Sequence, residues 1–269
     1  MLWKAKDGIV TIADTHMEYI RFGTGAETLI MLPGLGDGLR TMKGTALPMA
    51  AMYRMFAKDF TVYAFSRRDQ IPSKPSTRDM AADVAFAVEA LGIQKAHVFG
   101  VSMGGMIAQH LAADFPEKVK KLILAVTCSQ PNPIMKDAID GWMEDALRDD
   151  HAALMDSNMR LIYSDAYYRK NKRMVPLLAK LTKPKSYDRF AKQAYACLTH
   201  DSHDRLSAIT APTLVIGGEQ DRVLGVQPSR DLASAIAGAK LKIYEQWGHG
   251  VYEEAEDFND LILSFLKET

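Results

Sequence analysis

Three residues in this chain have the types and surroundings of a nucleophile, an acid and a base. Ser102 lies in Gly100-Val101-Ser102-Met103-Gly104, Asp221 closes GEQD at 218–221, and His249 sits in WGHG at 247–250. A serine hydroxyl is a poor nucleophile at neutral pH and needs a base to take its proton. That base needs a carboxylate to fix its tautomer and offset the charge it gains. The order Ser, acid, His suits a nucleophile carried on a strand–turn–helix elbow. The chemistry would be acyl transfer.

The elbow reading depends on the flanks. An apolar run, AHVF, precedes the motif, and MIAQHLAADF follows it. Strand, G-x-S-x-G, then helix is the context that lifts a serine above a sheet. Such a turn is strained and tolerates little bulk, which Gly100 and Gly104 satisfy, while Gly105 lets the helix pack closely. The start of that helix presents free amides and a positive dipole end to a developing anion. Two backbone donors are expected for the oxyanion. One is Met103, and the other is Leu35 in the glycine-rich loop Pro33-Gly34-Leu35-Gly36-Asp37-Gly38.

Rival assignments are weaker. Glu219 lies two residues from Asp221 and competes as the acid or serves as a surface carboxylate. His200 and His203 precede the acid, and HDSH has no further ligand cluster to make a metal pair. His97 in a strand and His110 on a helix read as structural. A dinucleotide fingerprint in loop 33–38, with Arg67 and Arg68 on a 2′-phosphate, fails because Leu39 stands where G-x-G-x-x-G needs glycine. The mechanism needs no metal and no organic cofactor.

These residues need a frame. Residues 9–22 read as two strands around a turn near Asp14-Thr15. TLIML (28–32), FTVYAF (60–65), AHVFG (96–100), KLILAV (121–126), PTLVIG (212–217) and KLKIY (240–244) are short apolar runs suited to a covered parallel sheet. Between them, Ala81, Val84, Val88 and Leu91 form one helical stripe stopped at Gly92. Pro228 suits the first turn of another helix, and Val251, Ala255, Phe258, Leu261, Ile262 and Phe265 share a face of a last one. The alternation predicts an α/β fold with a doubly wound, mostly parallel eight-stranded sheet. Asp221 and His249 then follow strand C-terminal ends, the edge where sites form in such sheets. Residues 130–205 lack strand patterns and read as a helical insertion over the site. The core is expected at 1–129 and 206–269.

Composition narrows the class further. The 269 residues carry 33 Lys+Arg and 33 Asp+Glu, so no net charge draws the chain to nucleic acid or an anionic membrane. The two cysteines, Cys128 and Cys197, do not make a disulfide framework. No apolar stretch at the N-terminus reads as a signal peptide, and no run approaches a membrane span. A cytoplasmic protein is the expectation.

With LPGLGDG at 32–38, GVSMGG at 100–105, IAQHLAADFPEKVKKLIL at 107–124, APTLVIGGEQD at 211–221 and WGHG at 247–250, the chain resembles the α/β-hydrolase fold superfamily over nearly its whole length. It is most similar to lid-bearing small esterases, lactonases and carbon–carbon bond hydrolases. The resemblance implies Ser102 as nucleophile, Asp221 as acid, His249 as base, and the Leu35 and Met103 amides as oxyanion donors. Two stretches depart from the pattern. Pro33-Gly34 stands where many relatives have His-Gly, and Ser66–Ser73 lacks the usual glycines. The stretch 39–56 is longer than the usual connection and is expected to reshape the entrance. Gly34, Gly36, Trp142, Met143 and Trp247 are candidate substrate contacts, with Met155, Met159 and Tyr163 as further pocket candidates. Met adapts to varied apolar shapes. The expected substrate is a small, largely apolar ester or lactone. Carbon–carbon bond hydrolysis with the same residues is the enzymatic alternative, and a ligand receptor or scaffold is the non-enzymatic one.

Overall fold

The computed structural model of the chain describes residues 2–268. Eight strands form one sheet: β1 (Lys6–Ile12), β2 (Thr15–Phe22), β3 (Glu27–Leu32), β4 (Phe60–Arg68), β5 (Ala96–Val101), β6 (Val119–Ala125), β7 (Thr213–Gly218) and β8 (Lys240–Tyr244). Their order is β1-β2-β4-β3-β5-β6-β7-β8. β2 pairs antiparallel with β1 and β4, and every later pairing is parallel. The hairpin turn falls at Ala13-Asp14, one residue earlier than expected, with Ala13 at φ 46°.

Side chains alternate across the sheet, as strand geometry requires. In β6, Leu122 and Leu124 enter one apolar layer while Ile123 and Ala125 enter the other. In β3, Ile30 and Leu32 part from Leu29 and Met31 in the same way. Both faces are covered, which is why these strands read as continuous apolar runs.

Helices α1 (Ala46–Met52), α2 (Thr77–Ala90) and α3 (Met103–Asp114) belong to the first half. α2 starts where Ser76 accepts a hydrogen bond from the Asp79 amide and ends before Gly92 at φ 72°. Between β6 and β7 come α4 (Pro133–Leu147), α5 (His151–Ile162), α6 (Asp165–Asn171), α7 (Val175–Thr182) and α8 (Asp188–Leu198), with no strand among them. Polar caps set three of these starts: Asn132, Asp150 and Ser164 each accept from an amide three residues on. α9 (Gln227–Ala235) links β7 to β8.

The expected single last helix is two: α10 (Val251–Glu254) and α11 (Phe258–Lys267). Ala255 is extended at ψ 118°, so the chain bends there. Val251 and Phe258 still reach the same apolar layer from either side of the bend. Among the described residues, no helix is long and apolar enough to cross a membrane.

Candidate active site

Four loops meet at the C-terminal ends of β3, β5, β7 and β8. The sharpest turn is at Ser102, between β5 and α3, with φ 53° and ψ −120°. A non-glycine residue in that region costs roughly 1–3 kcal/mol and persists where its surroundings hold it. The Ser102 amide donates to the Ala125 carbonyl at 2.9 Å. Its own carbonyl accepts from the Gly105 amide and from Thr127 Oγ1, both at 2.8 Å. A Cβ on Gly104 would collide with the Leu32 carbonyl, and one on Gly100 with the Gly104 carbonyl. The absence of side chains therefore lets β3, the elbow and α3 touch backbone to backbone.

Asp221 and His249 come together from the ends of β7 and β8. His249 Nδ1 lies 2.8 Å from Asp221 Oδ2. A carboxylate only accepts, so Nδ1 carries the proton and Nε2 is left as the acceptor. Asp221 Oδ1 accepts from the Val223 and Leu224 amides at 2.8 and 2.9 Å. Both side chains are buried. The rival Glu219 instead pairs with Arg230 at 2.7 Å on the surface.

The loop after β3 passes beside the serine. A Cβ placed on Gly34 would stand 3.4 Å from Ser102 Cβ and 3.9 Å from its Oγ. Leu35 and Met103 each open a helical turn, so their amides lack an acceptor within it. Among the described residues no loop carbonyl takes either amide. Pro33 is held by its carbonyl, which accepts from Arg67 Nη2. Asp37 is buried and accepts from the Arg67 amide at 3.2 Å, from Arg189 Nη2 at 2.9 Å and from Gln193 Nε2 at 3.0 Å. Arg189 also donates to the carbonyls of Arg67 and Arg68 at 2.8 and 2.9 Å. Arg189 and Gln193 both lie on α8, so this helix is fastened to the loop. Burial draws the Arg67 pKa down, and the Asp37 carboxylate opposes that.

Ser102 and His249 share a cavity of ≈ 460 Å³. That is within the usual range for small-molecule sites. Gly34, Leu35 and Gly36 line it from the core, and Trp142, Met155, Asn158, Ile162, Tyr163 and Phe190 from the helical insertion. Three expected contacts lie elsewhere. Met143 follows Trp142 by a 100° turn of α4 and stays off the cavity wall, packed against the apolar cluster to which Trp142 also belongs. Trp247 lies off the cavity wall and packs against the apolar layer that holds Val251 and Phe258, while its carbonyl accepts from the Gln220 amide at 3.1 Å. Met159 is buried off the cavity wall, and the Met103 side chain is wholly buried in the core.

Sequence reasoning missed other lining residues. Met49, Met52 and Tyr53 come from the long 39–56 connection, joined by Met42. Their i, i+3, i+4 spacing on and just after α1 is a signal that was present. Arg40, Tyr252 and Glu253 also line the cavity and had no local signature. His97, His110 and His200 are structural in their contacts. His200 bonds Thr77 Oγ1 at 2.7 Å and Ser202 Oγ at 3.3 Å, and packs edge-on against His110. Burial, then His110, lowers its pKa to about 3. His97 reaches Glu27 at 3.1 Å.

Residues 27–256 match the alpha/beta hydrolase fold family. The chain belongs to that family, and it is an enzyme of the hydrolase class. It is 28% identical to a 2-hydroxy-6-oxononadienedioate/2-hydroxy-6-oxononatrienedioate hydrolase of Pseudomonas putida, over 94% of this chain and 92% of that protein. An alpha/beta hydrolase from a Medee basin deep-sea metagenome library superposes with a TM-score of 0.84 at 25% identity, covering 97% of this chain and 98% of the other. The enol-lactonase of Burkholderia xenovorans LB400 shares the fold with a TM-score of 0.82 at 21% identity, over 97% of this chain and all (100%) of its own.

Proposed function

We propose that this chain is a serine hydrolase that cleaves a small, largely apolar carboxylic ester or lactone through an acyl-enzyme on Ser102. The observation that carries this reading is the shared cavity. The strained serine and the histidine already bonded to Asp221 line the same, mainly apolar space.

His249 Nε2 takes the Ser102 proton as Oγ attacks the carbonyl carbon. Asp221 holds the imidazole by Nδ1 and stabilises the imidazolium. The Leu35 and Met103 amides receive the oxyanion, each worth roughly 2.7–4 kcal/mol in the transition state. His249 then gives its proton to the departing oxygen. Water next attacks the acyl carbon, with His249 as base, and Ser102 Oγ leaves with the proton. Residues 130–205 act as a lid, with Trp142, Met155, Ile162 and Phe190 supplying apolar surface to the acyl or leaving group.

The name of the Pseudomonas putida relative supports a second reading, carbon–carbon bond hydrolysis of a dienoate with the same three residues. A panel of short esters, lactones and a vinylogous 1,5-diketone, run with wild type and Ser102→Ala, separates these. Ester or lactone turnover lost in the variant supports the first reading. Turnover confined to the diketone selects the second. Equal turnover by both proteins would remove Ser102 from the mechanism, and binding without turnover would return the receptor reading.

A further inference from the structure

The cavity wall beside His249 carries a carboxyl group that the chemistry above does not use. Glu253 lines the cavity and sits on α10, one turn past His249. Its Oε2 accepts from the Tyr163 hydroxyl at 2.7 Å, a contact between the helical insertion and the core. Among the described residues no lysine, arginine or histidine pairs with it, whereas Asp37, the other cavity carboxylate, is paired with Arg189. Its neighbour Glu254 is engaged by the Ser164 amide and hydroxyl at 2.9 and 2.6 Å. Arg40, in the loop that follows β3, is the other charged side chain on the wall.

The position of Glu253 gives it a specific meaning. In acyl transfer the histidine protonates the leaving group, so that group departs on the histidine side. His249 and Glu253 belong to one segment after β8, whereas Gly34 and Leu35, which receive the oxyanion on the proposed mechanism, belong to the loop after β3. Glu253 therefore faces the part of the substrate that leaves. One carboxylate oxygen is taken by Tyr163, and the carboxylate has further acceptor sites. A second carboxylate brought against it would meet like charge in a partly desolvated space.

We infer that Glu253 is a specificity-determining residue that admits leaving groups bearing hydroxyl donors and excludes leaving groups bearing a carboxylate. The inference rests on the acyl-transfer reading of Ser102. For an ester substrate it favours neutral, hydroxylated alcohols as first products, with the apolar character of the substrate residing in its acyl half.

The test uses butyryl esters that share one acyl group. Glyceryl monobutyrate supplies a hydroxylated leaving group, O-butyryl glycolate an anionic one of similar size, and phenyl butyrate reports acyl transfer as such. Wild type is expected to favour the glyceryl over the glycolate ester at least ~10-fold in kcat/KM, as for one like-charge contact. Glu253→Gln should shrink that ratio several-fold, and Tyr163→Phe, which removes the hydrogen bond that favours the ionised carboxylate against the effect of burial, should shrink it less. A wild-type ratio near one, or a ratio unmoved in Glu253→Gln and Tyr163→Phe, overturns the inference while phenyl butyrate turnover leaves acyl transfer standing. No turnover of any of the three esters overturns the acyl-transfer reading and the inference with it.

Discussion

The core wall of the cavity holds its functional groups by buried hydrogen bonds, while the helical wall offers mainly side-chain surface. On the core side, Ser102 is fixed by four bonds to its backbone and Asp221 by two amides and His249. On the helical side, Met155, Ile162 and Phe190 present apolar atoms with no polar partner to choose among substrates. The difference teaches where each property resides. The reaction is built into strand ends that cannot shift without breaking backbone contacts. On the proposed mechanism, Met155, Ile162 and Phe190 meet the substrate, and they can change without removing a hydrogen bond from that machinery.

The contrast can be broken at several points. The largest effect is expected at the serine. Ser102→Ala should lower kcat by about 10⁶, the scale seen for a nucleophile of this kind. Next comes the carboxylate that orients the base. Asp221→Asn keeps the shape but offers the wrong partner to Nδ1, and kcat should fall by about 10⁴. Steady-state kinetics on one ester measures both, and a loss of under tenfold at either residue would contradict its role as nucleophile or as orienting acid.

A smaller effect tests the place where the helical wall is joined to the loop after β3. α8 reaches the oxyanion loop through Arg189 and Asp37. Arg189→Ala or Asp37→Asn should lower kcat roughly 10- to 100-fold, as a modest misplacement of catalytic groups does, with KM changing less. If KM rises and kcat holds, Arg189 serves substrate binding instead of positioning the loop.

The smallest effect concerns stability. His200 ties the end of the helical insertion to Thr77 and is held neutral, with a pKa of about 3 against an ordinary 6.5. Below pH 6.5 the unfolded chain takes up a proton that the folded one refuses. Stability is therefore lost as pH falls from 6.5 toward 3, by about 2 kcal/mol at pH 5 from this group. Denaturant titrations at pH 7.5 and pH 5 should show a smaller loss in His200→Gln than in wild type. Equal losses would mean that His200 does not contribute to the slope.

The same contrast explains what was legible in the sequence. The strands announced themselves because both faces of the sheet are covered, leaving unbroken apolar runs. The elbow was legible because its strain demands glycines at fixed offsets, and Asp221 and His249 because they follow strands directly. The cavity wall was harder. Trp142 and Met143 are adjacent and equally apolar, and only the helical phase decides that Trp142 faces the cavity. Trp247 stays off the cavity wall although it stands two residues from His249. The Asp37–Arg67–Arg189–Gln193 network joins three segments far apart in the chain, so no local pattern reports it. The bend at Ala255 was hidden because Val251 and Phe258 keep the helical stripe across it.

The central claim is that Ser102, activated by His249, is the group that becomes acylated. Treating the intact protein with an alkyl fluorophosphonate and mapping the adduct by peptide mass spectrometry tests this most directly. The account predicts one adduct per chain, on the peptide containing Ser102, absent in Ser102→Ala and strongly slowed in His249→Ala. An adduct on another residue, or labelling that persists unchanged in Ser102→Ala, would contradict it.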